Sequence, residues 1–440
     1  MAINKAEFSR RRTRLMELME DNSIAIIPSA VEQVRSRDTF FPFRQDSDFF
    51  YLSGFEEPDS VLVLIPGRAQ GEIVMFCRDR DIDKETWDGY RQGPEGVCEH
   101  FGADDGFPID DIDDILPGLI EGTNRLYYAM GRDPDFDQAV LDWVETISAN
   151  AHKGAEAPGE FQELDHILHE LRLFKSAEEI KLMRRAGQLS SKAHCEAMRA
   201  CKPGMMEYQL EAVLHYHFSL AGARYPAYNT IVGSGKNACI MHYGENNEKL
   251  QAGDVVLIDA GGEYQGYAAD ITRTFPVNGG FSKEQKAIYD VVLQANIAAI
   301  EAVQPGNDWD QPHQVSVKII CQGLLDLGLL EGDLGQLIEA GAYHRFYLHR
   351  VGHWLGLDVH DVGDYRVDEK WRLMEAGMVM TIEPGIYIQA NDDSVDEKWR
   401  GIGVRIEDNV LVTKDGNEVF TNDVPKTTHA IEALMAGHML

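Results

Sequence analysis

Apolar residues recur at helical spacing in several long windows of the chain, and elsewhere they cluster in short runs closed by Gly or Pro. The opening segment places Phe8, Leu15, Leu18 and Met19 on one helical face, so Arg10, Arg11, Arg12 and Arg14 read as its solvated side. Beyond Asn22, the runs 23–27 (SIAII), 61–65 (VLVLI) and 73–77 (IVMFC) read as strands, 137–149 as a helix and 151–160 (AHKGAEAPGE) as a linker. From residue 163 the texture changes to longer helical patterns at 163–174, 177–200, onward to 218, then 283–304 and 312–327. Ser176 with Glu179 and Ser282 with Gln285 form capping-box starts, while KPG at 202–204 and Pro305-Gly306 are stops. The last third is strand-rich, clearest at 379–388 and 403–412. These patterns predict an α+β protein, with a smaller α/β domain over residues 1–173 and a second domain over 174–440.

Composition narrows the function. The 440 residues hold 41 Lys+Arg against 73 Asp+Glu, a formal charge of −32 that leaves no surplus to neutralise nucleic-acid phosphates or an anionic membrane. The longest apolar runs are far shorter than the ~20 residues that span a bilayer. Six scattered cysteines without a CxxC pair fit free thiols in a reducing compartment, and the N-terminus lacks an apolar signal core. The expectation is a cytoplasmic protein with no nucleic-acid or membrane partner.

Four acids stand out because each follows or interrupts an apolar strand. Asp259 follows VVLI, Asp270 sits in AADIT, Glu383 follows VMTI and Glu407 sits in VRIED. A buried carboxylate is costly unless paired or bound to a cation, and one alone is usually a structural acid. Four in one domain call for concentrated positive charge. Two divalent cations would balance them, with a hydroxide bridging the pair. The segments also echo one another: LIDAG at 257–261 resembles TIEPG at 381–385, each followed by a second acid and a nearby arginine (Arg273, Arg405). Two halves related by duplication would each supply two carboxylates.

A nitrogen ligand is available in 349–361 (HRVGHWLGLDVHD), where His349, His353 and His360 lie among Gly352 and Gly356, which permit close backbone approach. Four carboxylates and one imidazole form a hard donor set suited to Mn, Co, Fe or Zn.

These motifs resemble the pita-bread metallopeptidases over nearly the whole chain, nearest to the aminopeptidase P (Xaa-Pro aminopeptidase) branch. The resemblance is carried by 226–245 (PAYNTIVGSGKNACIMHYGE), 258–277 (IDAGGEYQGYAADITRTFPV), 349–361, 381–388 (TIEPGIYI) and 401–409 (GIGVRIEDN). Residues 38–55 (DTFFPFRQDSDFFYLSGF) resemble that branch's creatinase-like first domain. It implies a pita-bread second domain that holds two divalent ions, Mn2+ ahead of Co2+, Fe2+ or Zn2+. Asp259 would chelate one ion, Asp270 and Glu407 would bridge, and His353 and Glu383 would complete the other. His242 and His360 would bind the substrate carbonyl, Glu383 would carry the proton, and Arg405 would brace Glu407. His349 and Tyr387 would line the pocket, with Asp38 and Trp87 near its entrance. The implied reaction is hydrolysis of the N-terminal bond of peptides with proline second, by a dimer or tetramer.

The rival readings are a prolidase restricted to Xaa-Pro dipeptides, a metal-free binding module on the same fold, and a phosphotriesterase side activity. The chain retains every ligand position, which disfavours the binding module. It departs from the family at Arg350, where glycine is common, and in DYRVDEKWR at 364–372, where no substrate-binding arginine is assigned. The GxGxxA match at 233–238 has Gly244 too close behind it for a Rossmann helix, and His194-Cys195 has no third partner for a thiol nucleophile.

Overall fold

The run SIAII becomes the strand Ser23–Pro28 inside a six-stranded mixed sheet. Its neighbours are Val61–Leu64, antiparallel, and Arg125–Tyr127, parallel. Ile24, Ile26, Val61, Val63, Val74 and Phe76 are buried with Leu116, Ile120, Trp143 and Ile147 from two helices, Ile112–Ile120 and Pro134–Ala149. These elements belong to the first of two compact units into which the computed structural model divides, between Arg172 and Leu173. Residues 3–437 are described.

Two expectations for this unit are corrected. The segment 151–160 is no linker: a single 3₁₀ turn, Ala151–Lys153, leads to the strand Glu160–Gln162 at the sheet edge, paired with Arg125–Tyr127. The arginines of the first helix, Lys5–Met16, are not all solvated either, because Arg11 and Arg12 are buried. Their guanidinium groups donate to the carbonyl oxygens of Tyr51 and Leu52 at 3.0 and 2.8 Å. Those carbonyls end the helix Ser47–Ser53, where no intrahelical N–H reaches them and the helix dipole favours a cation.

In the second unit, both expected capping boxes form, opening the helices Ala177–Ala200 and Lys283–Ala302. Each long helix packs with the next, Glu207–Leu220 and Gln311–Asp326 respectively. Leu189, Leu210, Leu214, Ile288 and Val292 join Ile258, Phe275, Val404 and Ile406 in one buried cluster, so helices cover small antiparallel sheets. This is the α+β, pita-bread arrangement.

The strand Val255–Asp259 lies between Ile231–Ser234 and Thr272–Pro276, with Asp259 opposite both Ile231 and Thr272. The expected strands 379–388 and 403–412 are each broken in two. Val379–Ile382 pairs with Asp408–Val412, whereas Gly385–Ile388 pairs with Ile402–Arg405 in a separate sheet. The first break falls at Glu383-Pro384, where proline has no N–H for a ladder. There the Glu383 N–H bonds to the Val351 carbonyl at 2.7 Å, and the Glu407 N–H at the second break bonds to the Thr272 carbonyl at 3.1 Å. Both acids therefore leave the ladders where the chain changes sheets.

Candidate metal centre

Asp259, Asp270, His353, Glu383 and Glu407 converge on one cavity of about 300 Å³, lined as well by His242, His349, Arg350, His360 and Arg405. Ligand atoms of Asp270, His353 and Glu407 lie within 4.8 Å of one another. His353 Nε2 is 3.3 Å from Asp270 and 3.6 Å from Glu383. Its Nδ1 lies 2.9 Å from the Trp354 carbonyl, which can only accept, so Nδ1 carries a proton. Nε2 carries one as well while it bonds to Asp270, and it is the nitrogen that would release its proton in order to ligate. The loop glycines behave as expected from sequence: a Cβ on Gly352 would collide with the Thr381 carbonyl, and one on Gly356 with the Asp361 carboxylate. Asp361 in turn is locked by the buried Lys175 at 2.9 Å, which fixes the loop that presents His360.

The electrostatics test whether this donor set fits a cation. Burial and the charges of neighbouring carboxylates push Glu407 well above the ordinary carboxylate range and Glu383 up to about 7. Burial also raises Asp259, although Arg405 opposes it. Asp270 moves down: burial opposes the shift, but the hydrogen bond from His353 outweighs it. Burial likewise opposes the rise of His353, which its bond to Asp270 and the charge of Glu383 carry to about 9. So many buried acids facing one another stay ionised only beside concentrated positive charge, and oxygen donors with one imidazole match a hard divalent ion. A second grouping, Asp48 with Asp165 and His169, differs. Arg172 and Arg132 already occupy the Asp48 oxygens at 2.7 and 2.8 Å, so it is an ion-pair network.

Arg405 departs from its expected role. It is buried and donates to Asp259 Oδ2 at 2.6 Å, to the Tyr387 hydroxyl at 3.0 Å and to Thr272 Oγ1 at 3.0 Å. Glu407 instead accepts from the Thr272 hydroxyl at 2.6 Å. The two-residue spacing did put both side chains on the active face, but Arg405 reaches across to the acid of the other half.

Tyr387 is fully buried behind the cavity, and its hydroxyl lies 2.8 Å from His349 Nε2. His349 Nδ1 faces the Arg350 carbonyl at 2.7 Å, so Nε2 accepts the tyrosine proton. Burial, followed by the charge of Arg405, holds His349 down at about 3, hence neutral. His242 and His360 are exposed on the cavity rim. Asp38 and Trp87 are exposed residues of the first unit, Asp38 in the turn before Thr39–Phe40 and Trp87 on the short helix Ile82–Asp88.

Sequence reasoning missed three groups. Tyr228 places its hydroxyl between the two acids, 2.6 Å from Asp259 and 2.5 Å from Asp270, where its single proton serves one of them at a time. Asn409 donates to the Asp270 carbonyl and accepts from the Asp270 N–H at 3.1 Å, which sets that residue's orientation. Glu207, fully buried, collects donors from residues 234–248. Tyr228 and Asn409 lay in quoted motifs, PAYN and GIGVRIEDN, but nothing in either separates them from an ordinary aromatic and an ordinary amide, and Glu207 lay outside every motif.

The fold and a cavity of clustered carboxylates with one ligating imidazole define a metallopeptidase. Residues 181–414 match the model of Metallopeptidase family M24, and residues 8–127 match that of the Aminopeptidase P N-terminal domain. The chain belongs to metallopeptidase family M24. It is 46% identical over 434 residues to the Xaa-Pro aminopeptidase of Escherichia coli (strain K12), covering 98% of both chains. The structure of the Pseudomonas aeruginosa aminopeptidase PepP superposes with a TM-score of 0.98 at 57% identity, covering 99% of each chain. A zinc-substituted E. coli aminopeptidase P in complex with product gives a TM-score of 0.97 at 45% identity over 100% of both chains. The human Xaa-Pro dipeptidase is less similar, 35% identical over 98% of this chain and 94% of its own.

Proposed function

We propose that the protein removes the N-terminal residue from peptides whose second residue is proline, using two divalent ions, Mn2+ foremost. The observation that carries this reading is the convergence of four carboxylates and His353 on one cavity rimmed by two further histidines. Asp259, Asp270, His353, Glu383 and Glu407 would hold the ions, with Asp270 and Glu407 shared between them. When bound, such ions supply Lewis-acid polarisation of the carbonyl and water activated at neutral pH.

The protein's own groups do the rest. Arg405 and Tyr228 fix the Asp259 oxygens from opposite partners, so that carboxylate is aimed before any ligand arrives. His242 and His360 donate to the substrate carbonyl oxygen as it gains negative charge. Glu383 accepts a proton from the attacking water and delivers it to the proline nitrogen. Arg405 donates to the Tyr387 hydroxyl, which donates to His349 Nε2, a chain that fixes the His349 ring at the cavity wall. Proline lacks an N–H and fixes its φ, so its bond evades general proteases and needs a dedicated seat.

Six free thiols support a cytoplasmic setting, and among the described residues no helix is long and apolar enough to cross a membrane. A homo-oligomer in which Asp38 and Trp87 border the substrate entrance is part of the same reading. The dipeptidase alternative is favoured by one observation, the cationic Arg350 on the cavity wall. Peptide hydrolysis decides between them. The Mn-loaded enzyme should cleave Ala-Pro-Ala with higher kcat/KM than Ala-Pro and leave Ala-Ala-Ala intact, and chelation should abolish activity. Cleavage of Ala-Pro alone would establish the dipeptidase, and full activity after complete metal removal would defeat the metal reading.

A further inference from the structure

Arg350 is where the chain departs from the family's usual glycine, and 364–372 is the segment the resemblance leaves without a role. The structure brings them together. Asp368 and Glu369 have φ of 49° and 62°, the left-handed pair required by a tight two-residue hairpin turn. The turn folds Arg366–Val367 onto Lys370–Trp371, with Arg366 directly opposite Trp371. Cross-strand pairing lays the Arg366 guanidinium 4.2 Å from the indole centroid, and Arg350 lies 4.7 Å from the same ring. Two guanidinium groups share one indole.

Their charge is only half balanced. Arg350 pairs with Asp310, whereas Arg366 has no carboxylate partner among the described residues. Partial burial, and then the charge of Arg366, hold Arg350 below the ordinary arginine range. Segment 364–372 also holds Asp364, Asp368 and Glu369, but among the described residues none of these acids pairs with Arg366, which leaves its guanidinium able to meet an outside carboxylate. Arg350 lines both the metal cavity and an adjoining groove of about 860 Å³, whose walls include His313, Gln314 and Lys318 and whose only acid is Asp310. A peptide carries opposite charges at its ends. Its ammonium is drawn to the acidic cavity and repelled by the arginines, so the chain beyond the scissile bond is the part that leaves past them.

We propose that Arg350 and Arg366, braced on Trp371, form a carboxylate-binding subsite for the part of the peptide that follows the proline. The ligand is either the free C-terminus of a short peptide or the side chain of an Asp or Glu, both matched by planar guanidinium donors. The inference rests on the Xaa-Pro reading and adds a charge preference to it. Both arginines are exposed, so the preference is screened by salt.

The test uses Mn-loaded enzyme and two substrate pairs: Ala-Pro-Ala against its C-terminal amide, and Ala-Pro-Asp-amide against Ala-Pro-Asn-amide. At least one acidic member should have a kcat/KM roughly 10-fold above its neutral counterpart at low salt. The pair that shows the preference identifies the source of the carboxylate. That ratio should fall to roughly 3-fold or less in about 0.5 M NaCl, and likewise in Arg366→Gln, and it should reverse in Arg366→Glu. Ratios near unity for both pairs in the wild type would overturn the subsite, as would a ratio that survives in Arg366→Gln and Arg350→Gly alike. If the wild type cleaves none of the four peptides, the Xaa-Pro reading itself has failed.

Discussion

Glu207 offers the sharpest test of how the fold positions the site. It opens the helix Glu207–Leu220 and is 0% exposed, with no arginine or lysine partner among the described residues. One oxygen accepts from the Ser234 N–H at 2.7 Å, the Ser234 hydroxyl at 2.9 Å and the Asn237 amide at 3.2 Å. The other accepts from the Tyr243 hydroxyl at 2.8 Å and the Glu248 N–H at 2.9 Å. All five donors belong to 234–248, the segment that carries His242. In Glu207→Gln, the new NH2 must face one of the two backbone N–H groups whichever way the amide turns, and neither can rotate to accept. Leaving one such donor unsatisfied costs about 1–3 kcal/mol, and the remaining bonds lose the strength that a charged acceptor gave them. A total of about 3 kcal/mol in the stability of this segment follows.

Because 1.36 kcal/mol is a factor of ten, amide exchange through local opening of 230–250 should accelerate on the order of 100-fold. Hydrogen–deuterium exchange of the metal-loaded variant reads this directly, with the remote strand Ser23–Pro28 as internal control. The kcat/KM for Ala-Pro-Ala should fall roughly 10-fold while metal content stays at the wild-type level, since His242 loses its fixed position without any ligand being touched. Exchange within about threefold of wild type over 230–250 would refute the reasoning, because the five bonds would then contribute nothing to holding the segment.

The shared ligands have their own signature. Asp270→Asn and Glu407→Gln should each lose both ions on dialysis, whereas His353→Ala should lose mainly one, by elemental analysis; loss of a single ion from the bridging variants would show that they do not bridge. His242→Ala and His360→Ala should retain full metal and lose kcat/KM by ~10–1,000-fold, the size of a missing transition-state donor. A metal-free His242→Ala or His360→Ala enzyme would make that histidine a ligand instead.

The helices were legible because capping and periodicity are local. Ser176 with Glu179, and Ser282 with Gln285, announce helices whose starts the structure places one residue later. The acids of the cavity were legible for another reason: a carboxylate at the end of VVLI or VMTI needs a compensating charge wherever the strand lies. Bonds across long sequence separations were hidden. Nothing near Arg11 or Arg12 reveals that the carbonyls they satisfy lie 40 residues onward. Nothing near Glu207 marks it either, since its donors lie 27 to 41 residues away. The breaks at Glu383-Pro384 and Ile406-Glu407 were passed over for the same reason. A continuous apolar run predicts burial, and only the change of sheet shows that its middle is where the ligand acids turn inward.

The sequence echo between LIDAG and TIEPG has a geometric counterpart that explains why four acids meet. In the first half Asp259 closes its strand, and Asp270 comes two residues before the antiparallel neighbour that begins at Thr272. In the second half Glu383 follows the strand ending at Ile382, and Glu407 immediately precedes the partner beginning at Asp408. An antiparallel pair brings the end of one strand beside the start of the other, so each half gathers two acids at one edge. The halves differ in what lies between the paired strands. Both insert a hairpin, the short Gly262–Tyr264 with Tyr267–Ala268 in the first and the longer Gly385–Ile388 with Ile402–Arg405 in the second. Only the second hairpin carries an arginine, Arg405, to an acid of the other half, Asp259. Thr272 of the first half bonds to Glu407 of the second, and Arg273 bonds to Asp408. Each half thus orients the other's carboxylates. Tyr228 holds the first pair of acids from within its own half, and these cross-bonds add the second constraint, so the complete donor set exists only once the two are docked.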